Sequence, residues 1–214
     1  MFEIEYKGGN AVLITTKKAS LAIDPKRSVF GLKDVEVKDG IELTTEVRFL
    51  TRAPEFRVSL EGPGEYEAAG FLIRGIPAFR HLDDKTKDDV VMEGTLYRIM
   101  VSDIAIGVVG NVDPDVTDDQ IEALGNIDIL IIPVGGNGYT LDATAATILA
   151  NKIGPKVIIP VHYQDKSLKY EVSQDPVSSF IDTIKLPVIE EKKYKLKTAT
   201  NLPVAAEIHK LELS

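Results

Sequence analysis

Two short runs of aliphatic and β-branched residues, Ile129-Leu130-Ile131-Ile132 and Val157-Ile158-Ile159, constrain this chain more than any other feature. Each is closed by a proline, Pro133 and Pro160, and a glycine-rich turn and a helical stretch separate them. Runs this short and this apolar, bounded by turn residues, predict strands covered on both faces. The segment between them opens with Gly135-Gly136-Asn137-Gly138 and has helical character over 142–152, with Thr140 or Asp142 available as its cap. A strand, a helix and a strand in succession imply parallel neighbours joined by a crossover helix. The same rhythm begins one unit earlier, where Thr117 caps a helix predicted to run through Leu124.

The flanks of this α/β centre read as strands. Phe2, Ile4 and Tyr6 alternate with charged residues, Gly8-Gly9-Asn10 supplies a turn, residues 11–16 are β-rich, and 21–23 end at Asp24-Pro25, which together predict an antiparallel meander. Residues 28–45 read as a loop with at most a short strand at 34–37. Further strands are expected at 47–50, 56–60, 70–76, 95–101 and 104–109, with 62–67 as a turn. Segment 81–93 is strongly charged and is expected to be exposed. A helix over 175–184 precedes terminal strands at 187–189, 193–197 and 204–211. With 214 residues, 44% of them hydrophobic, the expectation is one domain spanning 1–214.

Charge and cysteine usage narrow the function classes. There are 25 basic and 33 acidic residues, a net charge of -8, which disfavours a nucleic-acid partner. The basic stretch at 192–197 reads as an edge strand guarded by lysines. The absence of cysteine excludes disulfides and thiolate metal sites and fits a reducing compartment. No apolar run reaches membrane-spanning length, and the start is acidic where a secretory signal is basic, so a cytoplasmic protein with no membrane partner is expected.

Several stretches, in this order, resemble the metallo-β-lactamase fold, and in particular the branch of Zn-dependent hydrolases related to ascorbate-6-phosphate lactonase. They are Glu5-Tyr6 through Ile23-Asp24-Pro25, Gly62-Pro63-Gly64-Glu65-Tyr66-Glu67, Gly75-Ile76-Pro77-Ala78-Phe79, Asp128 through Asp142, and Pro155 through Tyr163. The resemblance implies an α/β fold, a four-layer αββα sandwich of two mixed β-sheets flanked by helices. It also implies a metal centre at the edge where loops from the two sheets meet. In that family the metals are held by an His-x-His-x-Asp-His run, a histidine after the Pro-Ala strand, an aspartate in a Gly-Asp turn, and a late histidine. Imidazole and carboxylate suit zinc, and a water held by zinc becomes hydroxide near neutral pH.

Most of those ligands are missing. Where the first run is expected stands Phe49-Leu50-Thr51-Arg52-Ala53-Pro54-Glu55-Phe56-Arg57, and arginine has no lone pair to give a metal. The histidine after Ala78-Phe79 falls on Arg80, or on His81 if the loop slips by one residue. A lone histidine among Asp83, Asp84, Asp88 and Asp89 is more often solvated than a ligand. The family's Gly-Asp corresponds to Gly110-Asn111, and a carboxamide brings no charge to offset that of a metal. Asp113, two residues on, is a displaced carboxylate or an ordinary turn residue. The family's early glycine-histidine is set against Gly8-Gly9. His162 alone stands where the family places a ligand, and of three histidines in all, His209 lies outside the motifs.

The candidate site residues are therefore His162 and Asp113 as catalytic groups, with His162, His81 and Asp113 for a metal. Gly135, Gly136, Tyr139 and Asp142 form a ligand-binding loop in which backbone amides face an anion. A carboxylate pair drawn from Asp24, Glu65, Glu67 and Asp113 is the metal-free catalytic alternative. No glycine-x-serine-x-glycine elbow supports a serine nucleophile. The leading expectation is a degenerate, non-hydrolytic family member that needs no cofactor, binds an unidentified small molecule or protein, and has the option of homo-oligomerisation. The alternative is a phosphoester, lactone or nuclease-type hydrolase with one zinc or other divalent metal around His162.

Overall fold

Strict alternation builds β1 (Phe2–Gly8), which with β2 (Ala11–Thr16) and β3 (Ser20–Ile23) forms the expected antiparallel meander. The computed structural model describes residues 1–83 and 91–214; residues 84–90, and with them Asp84, Asp88 and Asp89 of the predicted charged loop, lie outside the described residues. Phe2, Ile4 and Tyr6 face the core while Glu3 and Glu5 on the opposite face stay half-buried. The β1–β2 turn requires glycine at position 9, where φ is +59° and a Cβ would lie 2.2 Å from the Phe30 ring.

The predicted loop over 28–45 is only partly a loop. It ends in β4 (Gly40–Thr44), parallel both to β3 and to β5 (Phe56–Glu61), whereas 34–37 form no strand and the strand expected at 47–50 is a 3-10 turn, Val47–Phe49. Glu42 hid β4 by breaking its apolar run, yet Glu42 is fully buried. Its carboxylate accepts the Thr51 and Arg52 amides at 2.5 and 3.1 Å and the Thr51 and Ser59 hydroxyls at 2.7 and 2.5 Å. A buried carboxylate is tolerable only when its lone pairs are filled in this way. Glu42→Ala strands these donors in the interior, with an expected cost of about 3 kcal/mol in urea unfolding; Glu42→Gln, which keeps one acceptor oxygen, should cost less.

The second sheet starts as an antiparallel ladder, β6 (Gly64–Ala68), β7 (Phe71–Ala78), β8 (Gly94–Val101) and β9 (Ile104–Val108). The turn expected at 62–67 is thus confined to its first residues, and the rest is strand. Then come α1 (Asp118–Leu124), β10 (Ile129–Pro133), α2 (Ala143–Ile153), β11 (Val157–Val161), α3 (Val177–Ile184), β12 (Val188–Glu191), β13 (Tyr194–Leu196) and β14 (Glu207–Leu211). Thr117 and Gln120 close a capping box on α1, and Asp142 caps α2 through the Ala145 amide. Strands β9, β10, β11, β14 and β12 run parallel, as the strand–helix rhythm requires.

The strand orders are β13-β1-β2-β3-β4-β5 and β12-β14-β11-β10-β9-β8-β7-β6. The two mixed sheets share one core, with Ile4, Ile14, Ile41 and Leu43 from the first and Ile73, Leu96, Ile99, Ile131 and Ile159 from the second. Helix α1 packs on β7 and β8, and α2 packs on β10 and against α3. This is the α/β sandwich with flanking helices that the resemblance implied. Strand β13 is the expected edge strand, and Lys193 and Lys195 reach back to Glu3 at 2.8 and 3.8 Å. Among the described residues no helix is long and apolar enough to cross a membrane.

The same end of both sheets collects the residues that follow the strands. Asp24 follows β3, Thr45 follows β4, Asn111 lies just beyond β9, Gly135 beyond β10 and His162 at the end of β11. The sheets are stitched together there: the Tyr97 hydroxyl donates to the Thr44 carbonyl at 2.8 Å and the Thr95 amide to the Thr45 carbonyl at 3.0 Å. Ligands of α/β sheets gather at such carboxyl ends.

Candidate functional site

His162 is fully buried and held in a left-handed conformation, φ 51°, by its own amide, which donates to the Gly9 carbonyl at 2.8 Å. Its Nδ1 lies 3.0 Å from Asn10 Oδ1. Asn10 Nδ2 in turn donates to Asn111 Oδ1 at 2.8 Å, and Asn111 Nδ2 donates to Glu46 Oε1 at 2.9 Å. The carboxylate at the end can only accept, so each amide points its NH2 toward it, and the ladder is complete when His162 donates Nδ1–H to Asn10. That tautomer leaves a lone pair on Nε2, which is buried and has no hydrogen-bond partner. Burial, reinforced by the Arg48 charge, pushes the imidazole down to about 3, so it is neutral at physiological pH.

Aromatic rings enclose the imidazole. Tyr170 stacks on it at 4.9 Å, Phe30 meets it edge-on at 5.3 Å, and the Tyr139 ring centre lies at 5.6 Å. Phe49 closes the cage behind Phe30 at 6.0 Å. The Arg48 guanidinium sits over both the Phe49 and Tyr139 rings, at 4.9 and 5.0 Å. Beside this cage Asp24 accepts the Thr45 amide and hydroxyl, both at 2.7 Å. Burial nonetheless outweighs those two bonds and pushes the Asp24 carboxyl up to about 8. Burial also raises Glu46 above the ordinary carboxylate range.

A cleft of 390 Å³ opens over Glu46 and Arg48, with Thr44, Thr45, Val47, Pro63, Arg80, Met92 and Glu93 also on its walls. Arg80 is spent inside the protein, 2.7 Å from Asp83 and 2.6 Å from Glu93, and these acids raise its already high basicity. The Thr44 hydroxyl is buried at the cleft with no hydrogen-bond partner.

The other residues singled out in the sequence distribute as follows. The amide of His81 donates to the Asn111 carbonyl at 2.9 Å, and its Nδ1 is buried without a partner. Asp113 accepts the Asp115 amide at 2.9 Å, which is turn chemistry, and lines a separate cleft with Phe79, Met92 and Gln120. Gly135 is packed against the chain: a Cβ there would lie 2.2 Å from both the His162 carbonyl and Gln174 Oε1. The Gly136 amide is used internally, by Thr140 Oγ1 at 2.8 Å and the Leu141 carbonyl at 3.0 Å. With Asp142 capping α2, Tyr139 is the member of that loop placed against His162 and Arg48. Glu65 and Glu67 occupy the exposed face of β6.

Sequence reading passed over Asn10, Thr45, Glu46 and Arg48. Asn10 follows Gly9 as the family's histidine follows its glycine, one residue beyond the pair Gly8-Gly9. Because β4 was missed, the segment leaving it, Thr45-Glu46-Val47-Arg48-Phe49-Leu50, was not recognised as the one that enters the site. Thr51 and Arg52, from the stretch set against the ligand run, wrap over Glu42 instead.

These residues do not fit a binuclear zinc centre. The imidazole Nδ1 is spent on Asn10, a carboxamide stands at 111, the Glu46 carboxylate is bound by that carboxamide, and phenyl and phenol rings occupy the space around His162. Among the described residues no three His, Cys, Asp or Glu side chains are grouped so as to hold a metal ion. His209 has its own partners, its two nitrogens facing Glu191 and Glu207, at 2.6 and 2.9 Å, from opposite sides of the ring. Those carboxylates cannot converge with it on one ion.

A beta-lactamase superfamily domain model matches residues 3–162. Among solved structures, a metallo-beta-lactamase superfamily protein of Thermotoga maritima aligns over 100% of both chains with 22% identity and a TM-score of 0.76. Igni18, a metallo hydrolase of the archaeon Ignicoccus hospitalis, aligns over 99% of this chain and 95% of its own at 16% identity, TM-score 0.63. The metallo-beta-lactamase fold protein YhfI of Bacillus subtilis aligns over 98% and 96% at 10% identity, TM-score 0.56. At these identities the likeness is one of fold.

Proposed function

This chain belongs to the beta-lactamase superfamily, and we propose that within it the protein works without a metal, as a non-hydrolytic member that binds a small molecule in the cleft beside His162. One observation carries this reading: the ladder His162–Asn10–Asn111–Glu46, walled by Phe30, Phe49, Tyr139 and Tyr170, occupies the sheet edge where the family gathers its metal ligands. Each polar group in the ladder is bonded to the next, and such a network is built to persist as it stands. Exchanging it for metal coordination would break those bonds without supplying a second imidazole or a free carboxylate.

The test is metal analysis of protein purified without chelator, where zinc, manganese and iron should all be far below one per chain. A stoichiometric metal would overturn the reading. One observation favours a second reading, a hydrolase with a reduced single-metal site: the buried lone pair on His162 Nε2 has no partner. Igni18, similar in fold, is a metallo hydrolase, which makes hydrolysis the activity to assay. Phosphodiester, lactone and phosphorylated-sugar turnover that appears on adding zinc and vanishes in His162→Ala would establish that second reading in place of the first.

A further inference from the structure

We infer that the cleft over Arg48 recognises a small organic carboxylate with an apolar body, its anionic end on the Arg48 guanidinium and the Thr44 hydroxyl, and its body against Val47, Pro63 and Met92. This rests on the metal-free reading above and adds the chemistry of the ligand to it.

The charges on the cleft wall do not contribute equally. Arg80 is shared between Asp83 at 2.7 Å and Glu93 at 2.6 Å, so its charge is already matched inside the protein. Glu46 is turned inward, accepting from Asn111 at 2.9 Å with Arg80 4.0 Å away. Arg48 remains. Among the described residues its ion-pair partner is Glu171, at 3.9 Å and with a largely exposed side chain, a contact worth little in water. The Arg48 guanidinium is nevertheless positioned by the Phe49 and Tyr139 rings, over which its central carbon lies. The Arg48 charge also acts on the buried Glu46 and Asp24 carboxyls, but among the described residues only the exposed Glu171 lies within ion-pair distance. A guanidinium seated over two rings can still offer its fork to two carboxylate oxygens.

The second observation is independent of charge. Thr44 is almost wholly buried, lines the cleft, and its hydroxyl has no hydrogen-bond partner. Leaving a buried hydroxyl unpaired costs free energy that an acceptor oxygen in the cleft recovers. The rim supplies the rest of the specificity. Val47 and Met92 are large apolar side chains left exposed, 65% and 40%, on the same cleft, and Pro63 stands between sheet and solvent. A ligand that is charged throughout leaves this rim uncovered, and one that is apolar throughout leaves Arg48 and Thr44 unused. The cleft, 390 Å³, falls within the range of small-molecule sites.

The experiment is calorimetric titration of the purified chain with hexanoate, hexylammonium and hexanol. Hexanoate should bind, with the other two at least about tenfold weaker, and Arg48→Gln should weaken hexanoate by about tenfold or more. Arg48→Lys should recover part of that loss, while Arg74→Gln, on the outer face of β7, should leave binding unchanged. Melting curves of each variant establish that it is folded at the titration temperature. Failure of hexanoate to bind the wild-type chain, equal binding of hexylammonium or hexanol, or full affinity in a folded Arg48→Gln chain would each overturn the assignment. Stoichiometric metal in the starting protein would instead remove the metal-free reading beneath it. A metal-free chain that ignores carboxylates would remove the ligand class alone.

Discussion

Asp24→Asn should make the folded chain more stable at pH 8 and remove a pH dependence that the wild type carries. The carboxyl of Asp24 is pushed from 3.8 up to about 8, chiefly by burial, with Glu46 adding to the rise and the Thr45 bonds and Arg48 opposing it. Between those two values the folded state keeps a proton that the unfolded chain gives up. Stability therefore falls as pH rises through the window: the contribution is complete below about pH 4 and is lost by about pH 8. The full span corresponds to about 6 kcal/mol, or about 1.4 kcal/mol for each pH unit. Asparagine keeps an oxygen for the Thr45 amide and offers its NH2 to the Thr45 hydroxyl, which rotates to accept, so the geometry survives while the titration does not. In urea unfolding from near pH 5 to near pH 8, the advantage of the variant over wild type should grow steadily. A difference that stays constant across this range would mean that Asp24 does not hold its proton in the fold, and the assignment of its charge state would fail.

Asp24 also marks the boundary of what the residues alone disclose. The alternation of Phe2, Ile4 and Tyr6, and the paired runs ending at Pro133 and Pro160, dictate strands through periodicity, and both sheets grow from them. Local chemistry placed Thr117 and Asp142 as caps. The failures share one cause: a polar residue buried by a partner distant in sequence. Glu42 disguised β4 because its four donors come from 51, 52 and 59, which no local pattern announces. With β4 unseen, Thr45, Glu46 and Arg48 had no reason to be placed at the site. Asn10 looked like a turn residue, and it is one, but its amide also bridges residues 111 and 162. The position of His162 at the end of a buried strand was legible from the apolar run before it. The role of the rings around it was not, because Phe30, Phe49, Tyr139 and Tyr170 meet only when four separate segments close over the imidazole.

His162→Asn should remove the loss of stability that the imidazole imposes on acidification. The imidazole is depressed from 6.5 to about 3, first by burial and then by the Arg48 charge. The folded chain thus refuses a proton that the unfolded chain takes below about pH 6.5. Its contribution is present above that value and is lost as pH falls toward 3, a span of about 5 kcal/mol. This is the opposite sign to Asp24, so between about pH 4 and pH 6 the two groups offset each other in the wild type, and each single variant exposes the slope of the other. Asparagine tolerates the left-handed backbone at position 162, φ 51°, better than most residues. It leaves a void among the rings, costing about 2 to 3 kcal/mol near pH 7. The variant should therefore begin less stable than wild type and lose less on acidification, so that the two urea-unfolding curves converge as pH falls toward 4. Curves that stay parallel from near pH 7 to near pH 4 would mean that His162 is protonated within the folded chain. A charged imidazole donates from both nitrogens, so Nε2, which has no hydrogen-bond partner in the fold, would then need an acceptor brought to it.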